Sequence, residues 1–243
     1  MKLNEGERLD DLQRNQLKII QNPSWFCFGV DSVLLSGFVR VLPGETVIDL
    51  GTGNGILPLL LSAKTEGRHF TGLELQEAQA DLARRSVELN GLTERIDIRV
   101  GDLMEASKIF GRSSFDVVVS NPPYLRKGAG KGNEAVEKRL ARHEEAMDLS
   151  GLLRETAALL KPGGRCYLVH RPGRMAEVLS GMRSSSLTPT KLRLVFPYAD
   201  RDASLFLLES VYGSGSELSV LPPLILHAAD GSYTEEIKKN YGF

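Results

Sequence analysis

A β-branched run, a glycine-rich turn and an apolar helix follow one another directly in the first quarter of the chain. Residues 46–50 read as a short strand, Gly51-Thr52-Gly53-Asn54-Gly55 as a turn, and residues 56–63 as a helix. Glycines permit a tight turn and a close backbone approach to a ligand, and a helix N-terminus favours an anionic group. The segment therefore predicts an α/β domain with a ligand at the turn. Because position 56 is Ile, the pattern differs from the dinucleotide Gly-x-Gly-x-x-Gly, and we expect the ligand's anionic group to be a carboxylate.

Three acidic residues stand at the ends of successive predicted strands. Asp49 precedes the glycine turn, where it could complement an ammonium group. Glu74 ends the next strand, 23 residues after the first glycine, at the distance typical of an acid that binds a ribose diol. Asp102 follows the third strand and could accept a hydrogen bond from an adenine amino group, with Leu75 or Leu103 packed on the ring. Each acid alone could be a helix cap; together they predict a nucleoside-containing ligand.

A rigid corner follows the fourth predicted strand, residues 115–120. The next residues are Asn121-Pro122-Pro123-Tyr124. Proline lacks the N–H that a strand needs and fixes φ, so the chain leaves the sheet at Asn121. Ligands of open α/β sheets bind at this edge. The Asn121 amide, the Pro122 carbonyl and the Tyr124 ring could hold a planar amine there, although a strand-ending turn is the simpler interpretation of this motif taken alone.

Hydrophobic periodicity organises the rest of the chain into three parts. We expect a helical extension or lid over residues 1–42, with helices over 5–22 and 31–41 and with Phe28 or Asp31 able to touch a ligand. Residues 43–212 contain seven predicted strands, of which the last two, 191–196 and 204–212, pair at one end of the sheet. A Gly/Ser break at 213–216 precedes a tail, 213–243, to which the sequence assigns no role.

The basic residues are concentrated in one part of the chain. Formal net charge is only −1, but residues 126–201 contain 15 Lys and Arg against 8 Asp and Glu, beginning just after Tyr124. A basic region beside a candidate site is typical of a ligand with a phosphate backbone, and a solvated Arg-rich surface is the alternative. The basic residues that we expect to contact RNA are Arg126, Lys127, Lys131, Arg139, Arg142, Arg171 and Arg174.

Bulk composition argues against several other classes of protein. A hydrophobic content of 42% with 25% charged residues is ordinary for a soluble domain, and no apolar run is long enough to span a bilayer. Cys27 and Cys166 are far apart and the four histidines are scattered, so no metal site or disulfide framework is indicated. We expect a cytoplasmic protein without a metal; the sequence leaves its oligomeric state open.

Taken together, these motifs resemble class I S-adenosylmethionine-dependent methyltransferases over residues 28–212. The matching features are the run from Asp49 to Gly55, Glu74 at a strand end, Gly101-Asp102-Leu103, and the Asn-Pro-Pro-Tyr corner. The resemblance implies an α/β fold with a seven-stranded, mostly parallel, Rossmann-like sheet, helices on both faces and an antiparallel last strand. It implies S-adenosylmethionine as cofactor and an amine or amide nitrogen as methyl acceptor. The residues that it implies at the cofactor are Phe28, Asp31, Asp49, Gly51, Gly53, Asn54, Gly55, Glu74, Leu75, Asp102, Leu103 and Asn121, and those at the target amine are Asn121, Pro122 and Tyr124.

A finer similarity is to bacterial methyltransferases that act on the adenine N6 beside the anticodon of valine tRNA. Its carriers are residues 28–35, Ala141-Arg142-His143-Glu144 and Arg171-Pro172-Gly173-Arg174. RNA, in particular tRNA, is therefore the expected partner. Protein glutamine-N5-methyltransferases share the corner motif but usually have a larger N-terminal domain, and guanine-N2-methyltransferases of ribosomal RNA are a nearer alternative. A non-catalytic RNA-binding protein with this fold is the alternative outside enzymes.

Overall fold

A computed structural model describes residues 3–25, 27–122, 149–213, 215 and 217–242 of the chain. Its helices and strands are β1 (Arg8–Asp11), β2 (Lys18–Gln21), α1 (Val30–Phe38), β3 (Thr46–Leu50), α2 (Ile56–Lys64), β4 (His69–Glu74), α3 (Glu77–Leu89), β5 (Ile96–Val100), α4 (Ala106–Phe110), β6 (Phe115–Ser120), α5 (Leu149–Leu159), β7 (Leu160–His170), α6 (Met175–Ser184), β8 (Leu187–Phe196), β9 (Leu205–Tyr212), β10 (Ser219–Val220), β11 (Leu224–Ile225) and α7 (Glu235–Tyr241).

The central sheet is mostly parallel. Its order is β10-β8-β9-β7-β6-β3-β4-β5, with β11 also paired to β8, so the described residues form a central sheet of nine strands and not the predicted seven. The two additional strands, β10 and β11, belong to the tail and pair in parallel with β8. Strand β9 runs antiparallel to both β7 and β8, in agreement with the expected pairing of the last two strands of residues 43–212.

Helices cover both faces of the sheet because side chains alternate along each strand. On β3, Val47 faces the cluster that includes α1, α2 and α3, whereas Ile48 and Leu50 face the cluster that includes α5 and α6. All three side chains are at most 1% exposed. A strand buried on both faces explains the near-continuous apolar run that the sequence shows there.

The predicted helix over residues 5–22 is wrong. Strands β1 and β2 form an antiparallel hairpin instead, in register from Arg8 opposite Gln21 to Asp11 opposite Lys18. Its turn contains residues with positive φ, which an α-helix excludes: Gln13, Asn15 and Gln16. The apolar pattern of this segment is ambiguous. Ile19 and Ile20 of β2 are both 0% exposed, because the strand is buried on both faces. Adjacent buried residues of this kind also occur in a helix, so the pattern does not distinguish the two structures.

The tail is attached to the body of the fold by α7. This helix packs on α1, where Ile237 is fully buried. The Arg14 guanidinium donates to the carbonyl oxygen of Lys239 at 3.0 Å, so a cation caps the C-terminal end of the helix. The tail thus contacts both the turn of the N-terminal hairpin and α1.

The hairpin is held on α3 by a buried serine. The Ser86 hydroxyl accepts the Ile20 N–H at 2.9 Å and donates to the Leu82 carbonyl at 2.7 Å. We expect Ser86→Ala to lower the free energy of unfolding by about 1–3 kcal/mol, because the Ile20 N–H would be left buried without an acceptor.

Urea unfolding of the two variants Ser86→Ala and Ser184→Ala tests this prediction. Ser184 makes the same bond to its own helix, to Ser180 O at 3.1 Å, but is exposed. Its substitution should change stability by less than about 0.5 kcal/mol. Equal losses in the two variants would contradict the role assigned to Ser86.

Candidate functional site

The order of the strands has its switch point between β3 and β6. Strand β3 has β4 on one side and β6 on the other, and all three run parallel. The chain goes on from β3 to β4 on one side and from β6 to β7 on the other, so the two connections leave in opposite directions along the sheet. Ligands of open α/β sheets bind at the carboxyl end of such a switch point. The glycine turn follows β3 and the Asn121 corner follows β6.

The glycine turn has the tight backbone that the sequence predicts. The φ angles of Gly51, Gly53 and Gly55 are +77°, +58° and +82°. Such values strain any residue that has a Cβ. A Cβ added at Gly55 would also lie 3.0 Å from the Ala83 Cβ of α3. The turn therefore requires glycine both for its conformation and for the packing of α3.

Glu74 supports the turn from the neighbouring strand. Its side chain is 3% exposed, and its Oε2 accepts the Gly53 N–H at 2.8 Å while Oε1 accepts the Gln76 N–H at 2.9 Å. Carboxylate oxygens have room for further donors. Glu74 thus orders the glycine turn and still offers acceptor capacity to a diol.

Asp49 is the most perturbed acid of the site. It is 2% exposed, and among the described residues no donor has full hydrogen-bond geometry to either of its carboxylate oxygens. The Thr52 hydroxyl is close enough to act as a weak donor. Burial raises the pKa of Asp49 to about 7; the nearby Thr52 opposes this shift and the charge of Glu74 adds to it. A buried carboxylate with so little hydrogen bonding suits a cationic ligand group, because a cation would compensate its desolvation.

The third predicted acid lies at the adjacent strand end. The Gly101 N–H donates to the Glu74 backbone carbonyl at 2.9 Å, which brings Asp102 next to the end of β4. Asp102 Oδ1 accepts the Met104 N–H at 2.8 Å and so begins a short 3₁₀ turn, Leu103–Glu105. Leu103 is buried, whereas Leu75 is 45% exposed. The exposure of Leu75 leaves an apolar surface beside Glu74.

Asn121 lies at the strand end next to the glycine turn. The Ser120 hydroxyl donates to the Leu50 carbonyl at 2.8 Å, which joins the last residue of β6 to the residue before Gly51. Asn121 Nδ2 donates to the Ser32 hydroxyl of α1 at 3.0 Å. Pro122 is buried. Ser120 and Asn121 are therefore fixed from two sides, by β3 and by α1.

Two residues of this site were missed by the sequence analysis. Ser32 is 2% exposed and contacts Asn121, and Gln21 is 2% exposed and accepts hydrogen bonds from the Phe28 N–H and from Asn54 Nδ2, both at 3.1 Å. Ser32 lies within residues 28–35, but its contact with Asn121 has no signal in the sequence. Gln21 lay in a segment interpreted as a helix, and no local signal marks it.

Several candidate RNA-binding residues and one candidate catalytic residue lie outside the described part of the chain. These are Tyr124, Arg126, Lys127, Lys131, Arg139 and Arg142. Arg171 and Arg174 follow β7, the neighbour of β6, and Arg174 Nε donates to Glu177 at 2.8 Å. Because β7 runs parallel to β6, Arg171 and Arg174 lie at the same edge of the sheet as Asn121.

The described residues contain neither a metal-binding cluster nor a membrane-spanning helix. No group of three or more His, Cys, Asp or Glu side chains is arranged there to hold a metal ion. No helix in the same part of the chain has the length and apolar character needed to cross a membrane.

Known relatives carry names that agree with this architecture. A protein named tRNA1(Val) (adenine(37)-N6)-methyltransferase from Porphyromonas gingivalis is 27% identical over 216 residues, which cover 86% of this chain and 84% of the relative. A protein of the same name from Aeromonas salmonicida is 28% identical over 208 residues, covering 85% of each chain.

The same fold occurs in a solved structure. The crystal structure of a predicted O-methyltransferase from Agrobacterium tumefaciens superposes with a TM-score of 0.71 at 24% identity, covering 87% of this chain and 95% of the other. Residues 16–184, more than half of the chain, match the model of the methyltransferase small domain. With its glycine turn and its polar corner meeting at one switch point, the chain belongs to the methyltransferase small domain family.

Proposed function

We propose that this protein transfers a methyl group from S-adenosylmethionine to the exocyclic N6 amine of an adenine in tRNA, the adenine beside the anticodon of valine tRNA. The observation that carries the proposal is the position of Asn121 across from the glycine turn, joined to it through Ser120 and Leu50. The names of the relatives from Porphyromonas gingivalis and Aeromonas salmonicida support the choice of nucleotide.

The cofactor is S-adenosylmethionine, and the residues around the glycine turn fit it. Asp49, buried and without a hydrogen bond of full geometry, would hold the ammonium of its methionine part, and Glu74 would hold the ribose diol. Asp102 would meet the adenine amino group, with the exposed Leu75 on the ring. Phe28 precedes α1, and Asp31 lies in the first turn of that helix. When bound, the cofactor supplies a methyl group on a positively charged sulfur.

Asn121 and Pro122 would prepare the target nitrogen. The amine of adenine is nearly planar because its lone pair is delocalised into the ring. Accepting its two N–H bonds on Asn121 Oδ1 and the Pro122 carbonyl would favour the tetrahedral nitrogen of the transition state, an electrostatic effect that grows as charge develops. The hydrogen bond from Asn121 Nδ2 to Ser32 supports this assignment. It directs the amide nitrogen, which can only donate, toward α1, and so determines the direction of the acceptor oxygen Oδ1.

RNA recognition rests on the basic region and on Tyr124. Tyr124 follows the corner directly and would stack on the target base, worth about 1–3 kcal/mol. The base must first leave its stack in the tRNA loop. The basic residues of 126–174 would bind phosphates, so binding should weaken as salt is raised.

Product analysis tests the proposal. The protein is incubated with cofactor labelled on the methyl group and with unmodified valine tRNA, and the RNA is digested to nucleosides for mass spectrometry. We expect N6-methyladenosine, and no product when the adenine beside the anticodon is replaced by guanine. N2-methylguanosine from ribosomal RNA, or methylglutamine in a protein, would replace the proposal by one of its alternatives. Cofactor binding without turnover on any RNA would favour a non-catalytic protein.

A further inference from the structure

The N-terminal hairpin reaches the cofactor site through one buried amide. Gln21 is the last residue of β2, is 2% exposed, and makes three hydrogen bonds to three separate segments. Its Nε2 donates to the Asp10 carboxylate of β1. Its Oε1 accepts the Phe28 backbone N–H and Asn54 Nδ2, each at 3.1 Å. No other described side chain bonds to both the segment before α1 and the glycine turn.

The two partners of Gln21 Oε1 belong to two separate segments of the expected cofactor site. Asn54 belongs to the glycine turn and is 4% exposed, so its amide cannot exchange this acceptor for water. Phe28 precedes α1, whose Ser32 contacts Asn121. The single atom Gln21 Oε1 therefore connects the glycine turn to the segment before α1, the helix that contacts Asn121.

Asp10 determines which end of the Gln21 amide faces the site. A carboxylate accepts and does not donate, so the Gln21 nitrogen must point toward Asp10 and the oxygen toward Asn54 and Phe28. The hairpin's position is fixed independently on α3, where Asn90 Oδ1 accepts the Lys18 N–H at 2.9 Å. Strand β2 is thus held on α3 at its first residue, Lys18, while Gln21 at its last residue contacts the glycine turn. Gln21 can therefore fix the position of the glycine turn relative to the hairpin.

We infer that Gln21 is a positioning residue for cofactor binding: with Asp10 it sets the separation between the glycine turn and the segment around Phe28. The inference rests on the proposed function only in taking S-adenosylmethionine as the cofactor, and it is independent of the methyl acceptor. It makes the hairpin a part of the cofactor site.

Calorimetric binding of S-adenosylhomocysteine, the demethylated cofactor, tests this without any RNA. Gln21→Ala leaves the Asn54 amide and the Phe28 N–H buried without an acceptor, and we expect affinity to fall about 10-fold. Asn54→Ala should lower it to a similar extent, and the double variant should lose little more than either single variant, because the two residues act through one bond. With labelled cofactor and tRNA, the KM for the cofactor should rise about 10-fold while kcat changes less than about 2-fold.

A charge exchange distinguishes positioning from general support of the hairpin. Gln21→Glu keeps an acceptor toward Asn54 but places a second carboxylate against Asp10, so affinity should fall. Adding Asp10→Asn restores a donor opposite it, and affinity should return to within about 3-fold of wild type. Ser86→Ala loosens the hairpin at the neighbouring Ile20 but removes none of the hydrogen bonds of the Gln21 side chain, so it should lower thermal stability and leave affinity within about 2-fold.

Each outcome has a separate meaning. Failure of the wild-type protein to bind S-adenosylhomocysteine would overturn the proposed function itself. Wild-type affinity in Gln21→Ala, additive losses with Asn54→Ala, or a Gln21→Glu variant that Asp10→Asn does not rescue would overturn the positioning role alone. If Gln21→Ala does not fold, the Gln21→Glu and Asp10→Asn series decides the question.

Discussion

Replacing Asn121 with alanine should lower kcat for methyl transfer by about 10²–10³-fold, the loss typical of removing one preorganised acceptor or donor of a developing charge. The substitution removes the amide oxygen that would accept an N–H of the target amine. It leaves the glycine turn intact, because the Ser120–Leu50 hydrogen bond does not involve the Asn121 side chain. The measurement is single-turnover transfer of labelled methyl to unmodified tRNA at saturating cofactor.

Asn121→Asp is the matched variant. It has nearly the same shape and keeps an acceptor toward the amine, and the Ser32 hydroxyl can turn to donate to its second oxygen. We expect it to retain more activity than Asn121→Ala. Full activity of the alanine variant would refute the role of Asn121, and equal losses in both variants would show that the amide nitrogen matters more than the oxygen.

The second large effect is expected at Asp49. Asp49→Asn removes the charge that would pair with the cofactor's ammonium while keeping the volume of the side chain. Removing one partner of a buried charge pair costs about 2–4 kcal/mol, so the Kd for S-adenosylhomocysteine should rise roughly 30-fold to 10³-fold. Calorimetry at pH 8 measures it. Asp97→Asn is the control, because Asp97 lies on β5 in an exposed pair with Arg99 and should leave the Kd unchanged.

The pH dependence of the same residue follows from its pKa of about 7 in the folded protein without cofactor. A cation binds the ionised form, so affinity should fall about 10-fold per unit as the pH decreases below 7, and the Asp49→Asn variant should lack this slope. A wild-type affinity that is independent of pH between 6 and 8 would contradict an ionised Asp49 in the complex.

The stability of the protein without cofactor should decrease as the pH rises, whereas its affinity for the cofactor should increase. Unfolded, Asp49 ionises near pH 4, whereas folded it stays protonated to about pH 7. Between these values the folded state holds the extra proton, so the free energy of unfolding falls as pH rises and levels off above 7, for a total on the order of 4 kcal/mol. Asp49→Asn should therefore be more stable than wild type at pH 8. Denaturant unfolding at pH 5 and pH 8 measures the difference, and an unstabilised variant at pH 8 would show that Asp49 has a donor in the folded state.

Much of the parallel part of the sheet could be predicted from the sequence. The strands that contain Val47 and Val118 are short apolar runs bounded by glycine or proline, and these signals are local. The hairpin could not be predicted, because Gln13, Asn15 and Gln16 adopt positive φ without a glycine, under tertiary constraint. The short strands β10 and β11 were also missed, since a two-residue strand has no period and exists only through its pairing with β8.

By itself, the sequence determined which chemical groups stand at the strand ends: glycines where the backbone needs positive φ at Gly51 and Gly55, an acid at Asp49, and an amide before two prolines at Asn121. These depend on neighbours along the chain. Only the tertiary structure decided that β6 lies beside β3 and that Gln21 bonds to Asn54, because both result from packing between segments that are distant in sequence. The raised pKa of Asp49 has the same origin, since desolvation is a property of everything that surrounds a carboxylate in the folded protein.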